Sequence, residues 1–499
     1  MKKRRLMLCS IISLIMVFVM AVPMTVSADT NVAKVGDTEY ATLEAAVGAA
    51  GDGDTVTLLT AASINNDLTV GKNITLALAG NTLTASANIN VTGQLTINDT
   101  TGGVIDFKGN KCFVVDGTSA KATLESGKVL CNDKQGYAFY AKNGGTAVIN
   151  GGTVESLYSP LSGNNTTGNM NFEVNGGTIT AKYGPAIYMP GQGKLKITAG
   201  TINGGISLRM GHVDISGGTI NAVTSDIDSP SKYYAYSGNA WFPDALYVFG
   251  GTYKSTAGNE LVLNITGGTF NCTNGQGSGI AIYDLGKINQ KMETSISGRA
   301  VITTNAANRD AYQVLSLSDI GVEPNNGYGN AANTGKVASS ISGGTFSSSP
   351  AKYVAEGKVA IKFVRANKDG NYYVGTQEEI QEIANTAKDG DTIDVIKGSI
   401  TLNMTTPGVN VNNGPNNEGT VIVNGTPLNP GYGMEIQNPA TDPTKPSQDQ
   451  TQKPSDTAKA DKSAKTGDDF NLFAVGGVAL AAIIAMAAVA ITGRRHRQR

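Results

Sequence analysis

Five aromatic side chains crowd into residues 233–242: Tyr233, Tyr234, Tyr236, Trp241 and Phe242, and this Trp is the only one in the chain. Flat aromatic faces with Asp and Asn side chains close by are what sugar recognition requires, although the same rings can instead pack down and anchor their own loop. A second aromatic series recurs as Ala-Phe-Tyr140, Ala-Ile-Tyr188, Ala-Leu-Tyr247 and Ala-Ile-Tyr283. Its register decides whether these rings form an external stripe or a buried ladder, and the pattern leaves both open. Acid–base chemistry has little material. His212, in Met-Gly-His-Val, is the one histidine outside the tail and has no evident partner. The one Asp-Asp pair is Asp468-Asp469, far from the body. Cys112, Cys131 and Cys272 are odd in number and lack metal-ligand spacing, so they are expected to be small buried hydrophobes.

A repeat must position these residues. Gly-Gly-Thr followed by a β-branched or aromatic residue occurs at 151, 176, 217, 250, 267 and 343, with weaker copies at 102, 127, 199 and 298. The first five starts are 25, 24, 25 and 23 residues apart, which is the period of one supersecondary unit stacked on itself. Before each Gly pair the residues alternate, as in Phe172-Glu173-Val174-Asn175 and Leu263-Asn264-Ile265-Thr266, which is strand patterning. Gly tolerates the sharp corner that follows, and Thr with its apolar neighbour suits the next strand. Later spacings of 18, 33, 17, 31 and 45 place enlarged loops at 225–244 and 306–337. The 33 and 17 sum to 50, so the copy at 250 reads as a chance phrase inside one enlarged rung. Insertions in solenoids map to loops on one face, often the binding face. Stretches with helical pattern, 42–50 and 376–387, each precede an Asp-Gly-Asp-Thr strand start; the first reads as the N-terminal cap.

The ends differ from the body. Lys2, Lys3, Arg4 and Arg5, an apolar stretch at 6–22 and Val26-Ser27-Ala28 read as a secretory signal peptide, with an uncleaved anchor as the alternative. Residues 438–465 are rich in Pro, Thr, Ser, Gln, Asp and Lys and read as a disordered tether. Lys465-Thr466-Gly467-Asp468, an apolar run at 472–492 and Arg494, Arg495, Arg497 and Arg499 follow. The run is long enough to span a bilayer with the basic tail inside the cell. Over residues 29–466, 31 basic and 38 acidic residues leave a net charge of −7, which argues against nucleic acid or an anionic membrane as partner of the body.

The C-terminal order resembles the cell-wall sorting signal of Gram-positive surface proteins. That resemblance implies that a sortase cuts between Thr466 and Gly467 and joins Thr466 to peptidoglycan, with Ser463 and Ala464 standing where the common Leu-Pro-x-Thr-Gly has Leu and Pro. A single-span membrane anchor is the alternative. The body, about 35–437, resembles the pectin-lyase-like right-handed parallel β-helix superfamily. More narrowly it is similar to repetitive surface proteins and adhesins of Gram-positive bacteria that pair Gly-Asp-x-x-Tyr-Ala-Thr-Leu openings with Gly-Gly-Thr rungs. Hydrolases of this superfamily carry Asn-Thr-Asp, Asp-Asp and Gly-His-Gly motifs, which the body lacks. Its lyases need a calcium site and a basic residue, for which Asp226, Asp228 and Asp244 with Arg209 or Lys232 are the available set.

The expectation is an all-β, right-handed parallel β-helix of about 24-residue rungs with short capping helices and a C-terminal transmembrane helix. Its divisions are a signal peptide (1–28), an N-terminal cap (29–60), the β-helix (61–352), a cap or small β module (353–437), a tether (438–465) and a sorting signal with membrane helix and basic tail (466–499). The expected function is a cell-surface-anchored, non-enzymatic surface for adhesion or glycan contact, with a polysaccharide lyase or hydrolase and a ligand-free stalk as alternatives. Tyr233, Tyr234, Tyr236, Trp241 and Phe242 are the expected contact residues. The expected partners are a glycan or host-surface ligand, peptidoglycan and membrane. No catalytic residue, metal or cofactor is expected.

Overall fold

The computed structural model describes residues 31–132, 136–164, 168–223, 242–249, 260–284, 291–316, 319, 337–366, 368–438 and 451–452. Within them the chain is a parallel β-solenoid. Three sheets run its length and the strands visit them in strict rotation. The first sheet takes Thr55–Leu58, Asn73–Ala77 and every third strand to Val337–Ile341. The second runs in parallel from Ala62–Ile64 to Gly344–Phe346, and the third from Leu68–Val70 to Tyr312–Ser316. Alternation along each short strand sends one set of side chains inward, giving a continuous core of Ile, Leu, Val and Phe from Leu43 to Val374. The core includes stacked Phe113 and Phe139, whose centroids are 4.9 Å apart.

The Gly-Gly-Thr phrase sets the register. Thr153, Thr178, Thr201, Thr219 and Thr269 stand opposite one another on successive second-sheet strands. The weaker copies align in the same column, through Val104, Lys128 and Val301. The sheet passes directly from Thr219 to Thr269, and the copy at 250 lies outside the described residues. Two further rungs, at Ala62 and Thr82, precede the first copy that the repeat marks. The corner itself explains the glycine. At Gly152 φ is +69°, and a Cβ there would lie 2.4 Å from the Gly127 carbonyl oxygen of the rung below.

Both ends carry short helices. Leu43–Ala49 is capped by Thr42, whose hydroxyl accepts from the Ala45 N–H at 3.1 Å, and it buries Leu43, Ala46 and Val47 against the first rung. Gln377–Ala384 starts with a reciprocal capping box, Thr376 with Glu379. It covers a second core built around Ile361, Ile393, Val395 and Val411. Strand Asn371–Gly375 joins this unit to the solenoid by antiparallel pairing with Gly344–Phe346. Cys112, Cys131 and Cys272 are buried thiols, none of them in a disulfide. Burial pushes the Cys112 and Cys272 thiols up to about 12, so neither is a reactive thiolate at neutral pH.

Two glycine substitutions test this account by urea unfolding of the full-length chain. Gly152→Ala should lower stability by about 2–3 kcal/mol through its left-handed φ and the approach of the rung below. Gly48→Ala, on the exposed side of the first helix with nothing within 4 Å of the new Cβ, should raise it by about 0.5–1 kcal/mol.

Candidate functional site

The outer faces of the second and third sheets differ, and the corner between them explains why. From the second sheet to the third the chain takes four residues after Ser156, five after Ala181, only two after Asn203, and twenty-four after Asn221. The shortest corner is Gly204-Gly205, with φ of +118° and +79°. A Cβ on Gly204 would lie 2.8 Å from the Gly184 carbonyl oxygen, and one on Gly205 2.9 Å from the Ala245 and Asp244 oxygens. A tight rung between longer ones leaves a dip, and a groove of 770 Å³ lies there.

The groove floor is the outer face of the second sheet. Thr180, Asn203, Asn221 and Asn271 follow one another at one register position, each two residues beyond the Thr of the repeat. Their side chains form a directional chain of hydrogen bonds. Asn203 donates to Thr180 at 3.3 Å, Asn221 to Asn203 at 2.9 Å and Asn271 to Asn221 at 3.1 Å. The Thr303 hydroxyl closes the series on the Asn271 oxygen at 3.1 Å. Glu155 stands at one end, paired with Lys128 at 2.9 Å. Leu157 and Lys182 line the same end, and beside them Tyr158 and Tyr183 lie with ring centroids 5.8 Å apart. Tyr183 is 39% exposed, with the Lys182 ammonium 4.8 Å from its ring centroid. An aromatic surface therefore sits next to a neutral polar floor.

Ala222 and Val223 line the other end of the groove, at the point where the chain leaves the described residues. Tyr233, Tyr234, Tyr236 and Trp241, with Asp226, Asp228 and Lys232, lie outside them. The neck of this insertion is fixed. The Asn274 amide donates to the Val223 carbonyl at 3.0 Å and to the Pro243 carbonyl at 2.6 Å, while its own oxygen accepts from the Gln276 and Gly277 N–H groups. Phe242 emerges into the outer face of the third sheet. It is buried, with its ring centroid 3.9 Å from that of Tyr283 and 5.1 Å from that of Tyr247.

Tyr140, Tyr188 and Tyr247 share one register position of the third sheet, alternating with Ser162 and Ser207, while Ala281 holds that position on the next strand and Tyr283 stands two residues on. The inward-facing neighbours Ile187, Leu246 and Ile282 belong to the core, which Tyr247 and Tyr283 do not join. The tyrosines are thus external to the coil, yet Tyr247 and Tyr283 are buried there. Asp244 is buried with them. It accepts from the Ser278 N–H and the Tyr283 hydroxyl, both at 2.6 Å. Burial raises the Asp244 pKa, against the opposing pull of Arg309 and these hydrogen bonds. Burial likewise raises Tyr188, with Arg209 opposing. Asp244 therefore acts as a hydrogen-bond anchor for the second end of the insertion.

His212 lies on the outer face of the first sheet, with Nε2 3.0 Å from a Glu260 oxygen. Among the described residues no group of three or more His, Cys, Asp or Glu could hold a metal ion, and no helix is long and apolar enough to cross a membrane. Thr466 and Gly467 lie outside the described residues. Comparison with protein-family models, curated proteins and solved structures finds no match to this chain. The Asn ladder was within reach of the sequence, as Thr-Ile-Asn at 201–203 and 219–221 and Thr-Phe-Asn at 269–271.

A carboxyl whose folded pKa is raised contributes stability that is complete below its unfolded pKa and is lost as pH rises through the folded value. Asp244→Asn keeps an acceptor for Ser278, and its amide can donate to the Tyr283 oxygen. Urea midpoints measured from acidic to neutral pH should show the wild type losing stability relative to Asp244→Asn as pH rises. A gap independent of pH would contradict the burial assigned to this carboxyl.

Proposed function

We propose that this protein is a non-enzymatic surface protein: a right-handed parallel β-helix tethered to the cell envelope, whose exterior contacts glycans. The observation that carries the reading is the groove on the second sheet. Its floor is an uncharged ladder of amides and hydroxyls, an aromatic pair with Tyr183 exposed stands beside one end, and the aromatic insertion leaves from the other. Hydroxyl-rich ligands need donors and acceptors side by side, and each carboxamide supplies both. Apolar ring faces cover the C–H surfaces of a sugar. The body's negative charge disfavours nucleic acid as the ligand. Export through residues 1–28, and retention by sortase transfer at Thr466 or by the apolar run at 472–492, complete the reading.

On a glycan or mucin array the full-length protein should give signal, reduced several-fold in Trp241→Ala. No signal for either protein would leave a ligand-free stalk, and release of reducing or unsaturated sugars from pectin-type polymers would overturn the non-enzymatic reading. In a Gram-positive host, Thr466→Ala should move the protein from the peptidoglycan fraction to the membrane fraction. An unchanged wall fraction would exclude sortase attachment at this residue.

A further inference from the structure

From the geometry of the groove we infer the class and orientation of the ligand: an uncharged, extended, β-linked polysaccharide lying along the solenoid axis, about one sugar unit per rung, over Thr180, Asn203, Asn221 and Asn271. This rests on the reading of the groove as a glycan-contact surface. The spacing argues for orientation. Neighbouring strands in a sheet lie about 4.8 Å apart, so the ladder repeats one amide at that interval, and an extended β-linked pyranose chain advances by close to the same step. A chain lying across the axis would meet the ladder once; one lying along it meets every rung.

The hydrogen bonds argue for hydroxyl recognition. Asn203 and Asn221 each spend one N–H on the rung before and accept one bond from the rung after. A carboxamide has two N–H donors and two acceptor sites, so each retains one of both for the groove. Because all donors point the same way along the ladder, the amides are held in one orientation and polarise one another. A sugar hydroxyl, which both donates and accepts, can satisfy both of the remaining sites.

The floor offers a polyanion no counter-charge along its length: its four residues carry none, and the charges of Glu155, its partner Lys128 and Lys182 are confined to one end. Ring stacking at the Tyr158–Tyr183 end gives the polymer a terminus-proximal platform that the amides alone lack.

The test is calorimetric titration of the full-length protein with a length series of β-linked neutral oligosaccharides, with polygalacturonate and with a coiled α-linked glucan. Affinity should rise with length and level off at about four to five units, with polygalacturonate and the α-glucan at least about tenfold weaker. Asn221→Ala should weaken binding about tenfold, as expected for the loss of two modest hydrogen bonds. Asn150→Ala, which breaks the exposed ladder in which Asn175 donates to Asn150, should leave it unchanged. That variant controls for general loss of rung stability, and thermal melts of both variants check folding. Preference for polygalacturonate, absence of length dependence, or binding indifferent to Asn221→Ala in a folded protein would overturn this inference while leaving glycan contact standing. No binding to any glycan, here or on the array, would remove both.

Discussion

The structure depends on one constraint: each rung must re-enter the second sheet in register with the rung below. That entry leaves no room. Six successive corners between the first and second sheets, from Leu124/Lys128 to Ile265/Thr269, contain three residues each. The glycines there lie against the carbonyls of the preceding rung, as Gly177 does against Gly151 and Gly268 against Gly217. In-register parallel pairing then buries one face of every strand in a common core, and any slip by one residue would turn that face to solvent. Even the rung that takes fifty residues to return, from Thr219 to Thr269, obeys the same three-residue corner.

A corner held at three residues over these six rungs sends their variation in length to the other two. The corners on either side of the third sheet range from two residues to more than twenty. Their effects on the two neighbouring faces are opposite. On the third sheet, Phe242 and Asp244 close over Tyr247 and Tyr283, giving a buried polar layer whose hydrogen bonds are internal. On the second sheet, the two-residue corner at Gly204-Gly205 keeps the face open, and the Asn ladder lies at the bottom of the resulting groove. Asn274 links the two regions by holding both ends of the insertion between them. The face with buried carboxylate and tyrosine is thus used for anchoring, while the face with neutral amides is presented.

How far this was legible in the sequence follows from the range of each interaction. Period and strand patterning depend on local corner chemistry, so Gly-Gly-Thr located the second-sheet strands from Val104 to Thr345. The rungs at Ala62 and Thr82 lack the doubled glycine, with Gly80-Asn81-Thr82 in its place, and were invisible to that phrase. Both helices were readable because a Thr cap and an amphipathic stripe are local signals. The groove was not, because it arises from a difference in corner length between neighbouring rungs. Its floor does leave a trace two residues after each Thr, where Asn203, Asn221 and Asn271 recur. The placement of Phe242 against Tyr283 is a contact across 41 residues of sequence that no periodicity encodes.

The central claim is that an open second-sheet face, bounded by a shortened corner and an insertion, is where this solenoid meets its ligand. Hydrogen–deuterium exchange of the full-length protein, with and without a saturating neutral β-linked oligosaccharide, tests it most directly. Added protection should be confined to peptides covering 178–183, 201–205, 219–223 and 269–273, with the first-sheet peptides around His212 unchanged. Protection centred on the third-sheet strands at 246–249 and 280–284, or spread evenly over the coil, would contradict it.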